Sequence, residues 1–544
     1  LTGGVTCHAT GNTHVGDGSM ESIVAESAIH NTAYGSTSLQ DLTTGDYNTA
    51  YGSGTLEALT TPEGNNAFGA LALRCVSTGS HNTAMGLAAG CLTTTGVSNV
   101  YLGNYAGYKG TTASNNVVVG RNAGYDFTTA SDNVAIGIYA GCDTTTGKYN
   151  VLIGTNTGAK STTACNNTAS GYSALYSNTN GKSNVAIGFR ALCSNTTASR
   201  NTAVGEVALC SNTTGTESVA LGRMALNKNT TGSFNTGLGH EALYHQTSGC
   251  WNTAIGHSTH CCNTTGCWNT SLGSMALRKS TTANLNTAVG ACSLYENTTG
   301  HSNVATGFKS LAANTAGCYN TASGVYSLLN NTTGSANTSV GNNALCSNTT
   351  GNDNTAFGQS SLRVNTTGHS NTAIGYHALT HSTTGCRNTA VGHASMNKNT
   401  TGCMNTGIGR QALGCNTSGH RNTALGIISL FCNTTGTDNT ASGYYSMYNN
   451  TTGVCNTAYG KNSLGKNTTG CYNTGLGINA GLFNTTGCDN TAVGREAARA
   501  TTTGHRNVSV GACSLYANTT GSNNTVVGFA AGKSNTTGDI NVFV

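Results

Sequence analysis

From Asn31 onward, apolar and polar positions alternate in a pattern that repeats every seventeen residues. With Asn31 of "NTAYG" as position 1, the phrase N-T-A-φ-G (φ apolar) returns at each interval. The consensus N-T-A-φ-G-x-x-A-L-x-x-N-T-T-G-x-x runs thirty times to residue 540 without insertion or deletion, and "NVFV" follows at 541–544. The register holds through the variant phrases at Asn65, Asn133, Ser218, Asn303 and Asn405. Unbroken self-similarity of this kind signals a repeat architecture and overrides any domain count drawn from length.

Within one unit, T-A-φ-G and x-A-L have the character of short strands, and N-T-T-G supplies the residues that turn corners. Seventeen residues are too few for a pair of helices, and Gly and Asn in every unit disfavour helix interiors. The pattern predicts an all-β chain, a parallel β-solenoid with one 17-residue repeat per coil and coils about 4.8 Å apart. Pro removes a ladder donor, and the one proline, Pro62, falls in the turn where Gly stands elsewhere. Residues 31–544 form the continuous array. Residues 1–30 are expected to be a cap or degenerate repeat, because "NTHVGDG" copies the phrase in a shifted phase. The core is expected at positions 4 and 9, for example Ile255 with Leu277 of the following unit, and at the alanines of positions 3 and 8.

Composition agrees with stacking. Charged residues make up 8% of the chain, as expected where identical residues lie over one another and like charges repel. Low Pro and low charge argue against disorder. The net charge of +5 comes from singly scattered residues, whereas nucleic-acid binding needs a concentrated basic stripe. No apolar run approaches the length of a membrane helix. The chain begins at Leu1, as expected of a processed or partial piece of a larger secreted protein.

Of 22 cysteines, five pairs lie 17 residues apart: Cys193/Cys210, Cys250/Cys267, Cys386/Cys403, Cys415/Cys432 and Cys471/Cys488. Chance gives roughly one such pair. Stacked residues about 4.8 Å apart fall within the Cα window of a disulfide, so each pair is a candidate staple between coils. Disulfides persist in oxidising compartments, which places the chain outside the cell, in a secretory lumen or on a virion surface.

At position 12, N-T-[TS] is an N-glycosylation sequon. The candidate acceptors are Asn195, Asn212, Asn229, Asn263, Asn297, Asn331, Asn348, Asn365, Asn399, Asn416, Asn433, Asn450, Asn467, Asn484, Asn518 and Asn535. The same asparagines can equally form a hydrogen-bonded ladder, as in cross-β stacks. Trp251 and Trp268 share position 17 of consecutive units and are expected to stack on each other. His260–Cys262 lacks the second ligand pair of a zinc site. No cofactor or metal is implied. Catalysis needs a unique constellation in a pocket, and every position here is copied some thirty times, so no enzyme is expected.

The phrases "NVAIG" (133–137, 184–188), "SVALG" (218–222) and "NTAVG" (201–205) resemble the repeats of the YadA-like heads of trimeric autotransporter adhesins, and similar repeats of phage and viral fibre proteins. The resemblance covers residues 31–544. It implies a left-handed parallel β-roll, three chains side by side and a surface that adheres to host or matrix molecules. The family's unit is about 14 residues, so each coil here carries three more, and cysteine rows are foreign to it. The expectation is a structural extracellular fibre or filament shaft, stapled by disulfides and glycan-coated, whose partner is itself, as a lateral oligomer such as a trimer or end to end. The alternative is an adhesin-type binding surface. An ice-binding solenoid fits less well, because Val interrupts the threonine row at position 2 (Val100, Val117, Val134, Val151, Val185).

Overall fold

The computed structural model describes residues 6–7, 10–24 and 27–544. Residues 1–5, 8–9 and 25–26 of the expected cap lie outside the described residues. The chain divides into two compact units, Leu1–Asn269 and Thr270–Val544. Both are parallel β-solenoids with a 17-residue coil, and no helix occurs among the described residues. In the first unit, β1 (Thr6–Cys7) pairs antiparallel with β2 (Thr13–Val15). Next, β2 pairs parallel with β3 (Thr32–Tyr34), Thr13 opposite Thr32, so "NTHVG" opens a coil two residues longer than the rest. Within each unit, the three-residue strands at positions 2–4 then meet their copies 17 residues on, as Thr32 meets Thr49 in the first unit and Thr406 meets Thr423 in the second.

Strands this short do not hold a coil by themselves, and the turns are bonded from coil to coil as well. At position 13 the Thr366 N–H donates to the Thr383 carbonyl at 2.9 Å, and the Thr366 hydroxyl donates to the same oxygen at 3.1 Å. Corners use left-handed backbone at positions 7, 9 and 17 even where the residue is not glycine: Ser360 has φ 58°, Leu362 49° and Ser370 57°. Each such residue costs about 1 kcal/mol or more, and at position 9 the corner turns the leucine inward. Position 5 admits no side chain. Gly341 has φ +132°, and a Cβ there would stand 2.7 Å from the carbonyl carbon and oxygen of Gly358 one coil on.

The core is narrower than the sequence suggests. Position 3 points inward and positions 2 and 4 outward, as alternation along a strand requires. In the second unit, Ala288, Leu294, Ala305, Leu311, Ala322 and Leu328 are fully buried, and in the first, Ala186, Leu192, Ala203 and Leu209 play the same part. Position 4 is therefore not core, which corrects the expectation for Ile255: it is only half-buried, whereas Leu277 at position 9 is fully buried. Alanine fits at position 3 because the coil leaves little room across it. Where glycine replaces the position-9 leucine, larger residues fill the space. Tyr101 and Phe127 are fully buried, and a Cβ on Gly107 would collide with the Tyr101 ring.

Candidate functional surface

Two asparagine ladders line the interior. At position 1, the Asn439 backbone N–H and Nδ2 both donate to Asn422 Oδ1, each at 3.1 Å, and Nδ2 also donates to the Gly453 carbonyl at 2.8 Å. At position 12, Asn450 Nδ2 donates to Asn433 Oδ1 at 2.8 Å and to that same Gly453 carbonyl at 3.1 Å. In these coils both amide hydrogens are used and the oxygen receives a bond from the next coil, whereas Oδ1 of Asn229, Asn365, Asn484 and Asn518 is buried without a partner.

All the sequon asparagines belong to this inner row. Every one is buried, at 2% exposure or less, except Asn535, which is half-buried. A sugar on Nδ2 would have to displace the amide from the core and break its bond to the position-15 carbonyl, and in coils such as those of Asn433 and Asn450 its bond to the preceding Asn as well. In this conformation the ladder and glycosylation at the buried positions exclude each other. The row also runs through Asn178 and Asn314, where "NTN" and "NTA" break the sequon, and Asn178 Oδ1 still accepts from Asn195 Nδ2 at 2.8 Å. Gln246 continues it, donating to the Gly249 carbonyl at 2.6 Å. The N-T-T phrase is accounted for by an amide ladder at position 12 and a hydroxyl ladder at position 13.

The five cysteine pairs lie over one another as the register requires, but as thiols. None of the ten is disulfide-bonded. The Sγ atoms of Cys386 and Cys403 are 2.7 Å apart and those of Cys193 and Cys210 are 3.5 Å apart, against about 2.05 Å for a covalent bond. The expected staples are therefore not present as bonds. At position 16 the cysteines have a backbone role: Cys250 N–H donates to Cys267 Sγ, and Cys471 N–H to Cys488 Sγ, each at 3.1 Å. His505 takes this place below Cys488, its Nδ1 accepting at 2.9 Å, and Ser522 below His505. Position 16 thus gains from an acceptor, and Cys, Ser, His, Asn and Asp recur there, although Val97, Val454, Lys148 and Lys182 also hold it. Cys415 and Cys432 stack at position 11.

The rings of Trp251 and Trp268 stack at 5.0 Å between centroids, and Phe234 stacks on Trp251 at 4.1 Å, so their faces largely cover one another. His260 stands at position 9, in the register that leucine holds elsewhere, fully buried and with neither ring nitrogen hydrogen-bonded. Burial pushes its pKa down to about 3. No group of three or more His, Cys, Asp or Glu residues able to hold a metal ion occurs among the described residues.

The outer face of the strands is what sequence reasoning missed. At position 4, Ile136, Ile153, Ile187, Leu221 and Leu238 of the first unit stand outward, as do Phe357, Ile374, Ile408, Leu425, Tyr459 and Leu476 of the second, with 36–56% of each residue exposed. Position 6 widens the stripe with Tyr172 and Phe189, and with Phe308, Tyr376, Ile427 and Tyr444. Exposed apolar side chains recurring along each unit, interrupted at Ser170, Thr306, Ser323 and Ser442, are the kind of surface that marks an interaction site. No helix of the described residues is long and apolar enough to cross a membrane. No protein-family model matches the chain, and no curated protein matches it.

Proposed function

We propose that the chain is a structural fibre shaft outside the cell, built by lateral association of identical chains along the position-4 stripe. The observation that carries this reading is the stripe itself. A strand that turns its position-3 alanine inward and its position-4 Ile, Leu, Phe or Tyr outward leaves a large apolar surface unfilled by its own fold. A second copy of the chain fits best, because the row recurs at the coil spacing, interrupted at Ser170, Thr306, Ser323 and Ser442, as a partner with the same coil spacing would. The resemblance to YadA-like heads, whose chains stand three abreast, supports a trimer. The interior supports a mechanically stiff role, since within each unit the position-13 hydroxyl ladder joins successive coils independently of the thin core. In an oxidising setting, the stacked thiols at Cys386/Cys403 and Cys471/Cys488 would add covalent staples.

Replacing Ile374, Ile408 and Leu425 together by Lys tests the reading, because all three point outward and the core is untouched. The expected result is an unchanged β circular dichroism spectrum with a fall in sedimentation coefficient to that of a single chain. Wild-type protein that already sediments as a single chain at micromolar concentration would contradict it.

A further inference from the structure

One cysteine pair differs from the others in what surrounds it. Cys193 and Cys210 occupy position 10 of consecutive coils, and Cys193 Sγ is the point on which three donors converge. The Cys210 thiol donates at 3.5 Å, Arg190 Nη2 at 3.7 Å, and the Ser194 hydroxyl lies at 3.8 Å. The residue is 8% exposed and forms part of the wall of a shallow cleft of about 360 Å³, with Tyr172, Tyr176, Phe189 and Arg190 around it. The Cys386/Cys403 pair is closer in space but has no guanidinium within hydrogen-bonding distance of its sulfurs.

Donors that point at a sulfur favour its thiolate form. The Cys210 thiol first, then the Arg190 guanidinium and the Ser194 hydroxyl, hold the Cys193 thiol down to about 5, against the burial that raises it. Burial pushes Cys386 the other way, to about 11. A thiolate beside a second thiol in bonding register, in a cleft that admits a small electrophile, has the parts of a two-cysteine redox site.

We propose that Cys193 is a peroxide-reactive nucleophile and Cys210 its resolving thiol, so that hydroperoxides close this staple before any other on the chain. The Cys193 thiolate attacks one oxygen of ROOH. The S–O bond forms, the O–O bond breaks, and RO⁻ leaves and takes a proton from water as ROH. The Cys210 sulfur then attacks the Cys193 sulfur of the sulfenic acid. The S–S bond forms, the S–O bond breaks, and the departing hydroxide takes the Cys210 proton to leave as water. The two thiols lose two electrons, and the peroxide oxygen gains them. This inference is independent of how chains associate.

At pH 6 an ordinary thiol is about 0.3% ionised and one near 5 about 90%. The lower intrinsic nucleophilicity of the more acidic thiol offsets part of that gain, leaving about a tenfold advantage. The test is timed oxidation of fully reduced, full-length protein with limiting hydrogen peroxide at pH 6, followed by alkylation and peptide mass spectrometry. The expected result is a Cys193–Cys210 disulfide forming about ten times faster than Cys386–Cys403, with a dimedone-trapped sulfenate on Cys193 in Cys210→Ser. Arg190→Asn should bring the rate down to that of the other pairs. Asn already stands at this position in other coils with the same left-handed backbone, as at Asn156 and Asn343, so the fold tolerates it. Oxidation of all five pairs at one rate, or a rate unaffected by Arg190→Asn in protein with an unchanged spectrum, would overturn the proposal.

Discussion

The position-12 ladder makes a quantitative prediction at Asn433. Its Nδ2 donates to Asn416 Oδ1 at 2.7 Å and to the Gly436 carbonyl at 3.0 Å, and its Oδ1 receives Asn450 Nδ2 at 2.8 Å. In Asn433→Ala the Gly436 carbonyl keeps its bond from Asn422 Nδ2 at 2.8 Å. Asn416 Oδ1 loses its ladder donor and Asn450 Nδ2 loses one acceptor, and both atoms remain buried. Each orphaned group costs about 1–3 kcal/mol, so the local loss is ~2–6 kcal/mol. In a repeat array that loss acts on the neighbouring coils rather than on one global transition, so a single melting temperature would blur it. Hydrogen exchange by mass spectrometry, read peptide by peptide, resolves it. Exchange over residues 416–467 should accelerate between about 30-fold and 10⁴-fold, while Thr435→Ala, at the exposed position 14, leaves it within about twofold. Asn433→Ala exchanging like that control would refute the argument that the amide row holds the coils together.

Further outcomes follow from the same geometry. Gly341→Ala forces a Cβ against the backbone of the next coil at a φ that L-residues avoid, and should cost its neighbouring coils about 3 kcal/mol, read as faster hydrogen exchange over those coils. Gly54→Asn, at a corner with φ +65° where a Cβ crowds only the end of the Leu71 side chain, at 3.0 Å, should cost far less. His260 gives an acid limit. Its folded pKa near 3 lies below the unfolded value of about 6.5, so the stability of its coil is complete above pH 6.5 and falls by ~1.4 kcal/mol per unit as pH drops toward 3. His260→Leu should flatten that slope in exchange measurements at pH 7, 5 and 4, and an unchanged slope would show that other groups set it. In folded protein from a eukaryotic secretory host, endoglycosidase treatment should leave the mass of peptides carrying the buried asparagines, such as Asn348 and Asn433, unchanged.

Much of the fold was legible because a 17-residue period in a chain rich in Gly, Asn and Thr leaves few architectures open, and the structure has that period in every coil after the first. The direction of the strand residues was not legible. Ala and the φ residue that follows it are both apolar, and choosing the larger one as core assumes that apolar means buried, which holds in one direction only. In a coil this narrow, alanine is the residue that fits. The sequons misled for a related reason: a three-residue motif describes local chemistry, whereas position 12 is set by the residue seventeen away. Asn178 and Asn314, which keep the asparagine and lose the sequon, carried the corrective signal. His260 was also readable, since counting the register places it among leucines. The convergence of Arg190 and Cys193 was not, because positions 7 and 10 meet only through a turn whose backbone the sequence does not specify.

The central claim is that the outward apolar stripe is covered by other copies of the chain, and oxidative footprinting of the native protein tests it most directly. In one chain alone, Tyr51, Phe357 and Tyr459 at position 4 are about as accessible as Tyr149, Tyr319 and Tyr472 at position 17, with 48–56% of each residue exposed against 60–63%. The account predicts that hydroxyl radicals label the position-17 rings and spare those at position 4, and that the difference vanishes in the Ile374, Ile408, Leu425 triple-lysine variant around Phe357 and Tyr459. Equal labelling of both rows in the native protein would contradict it.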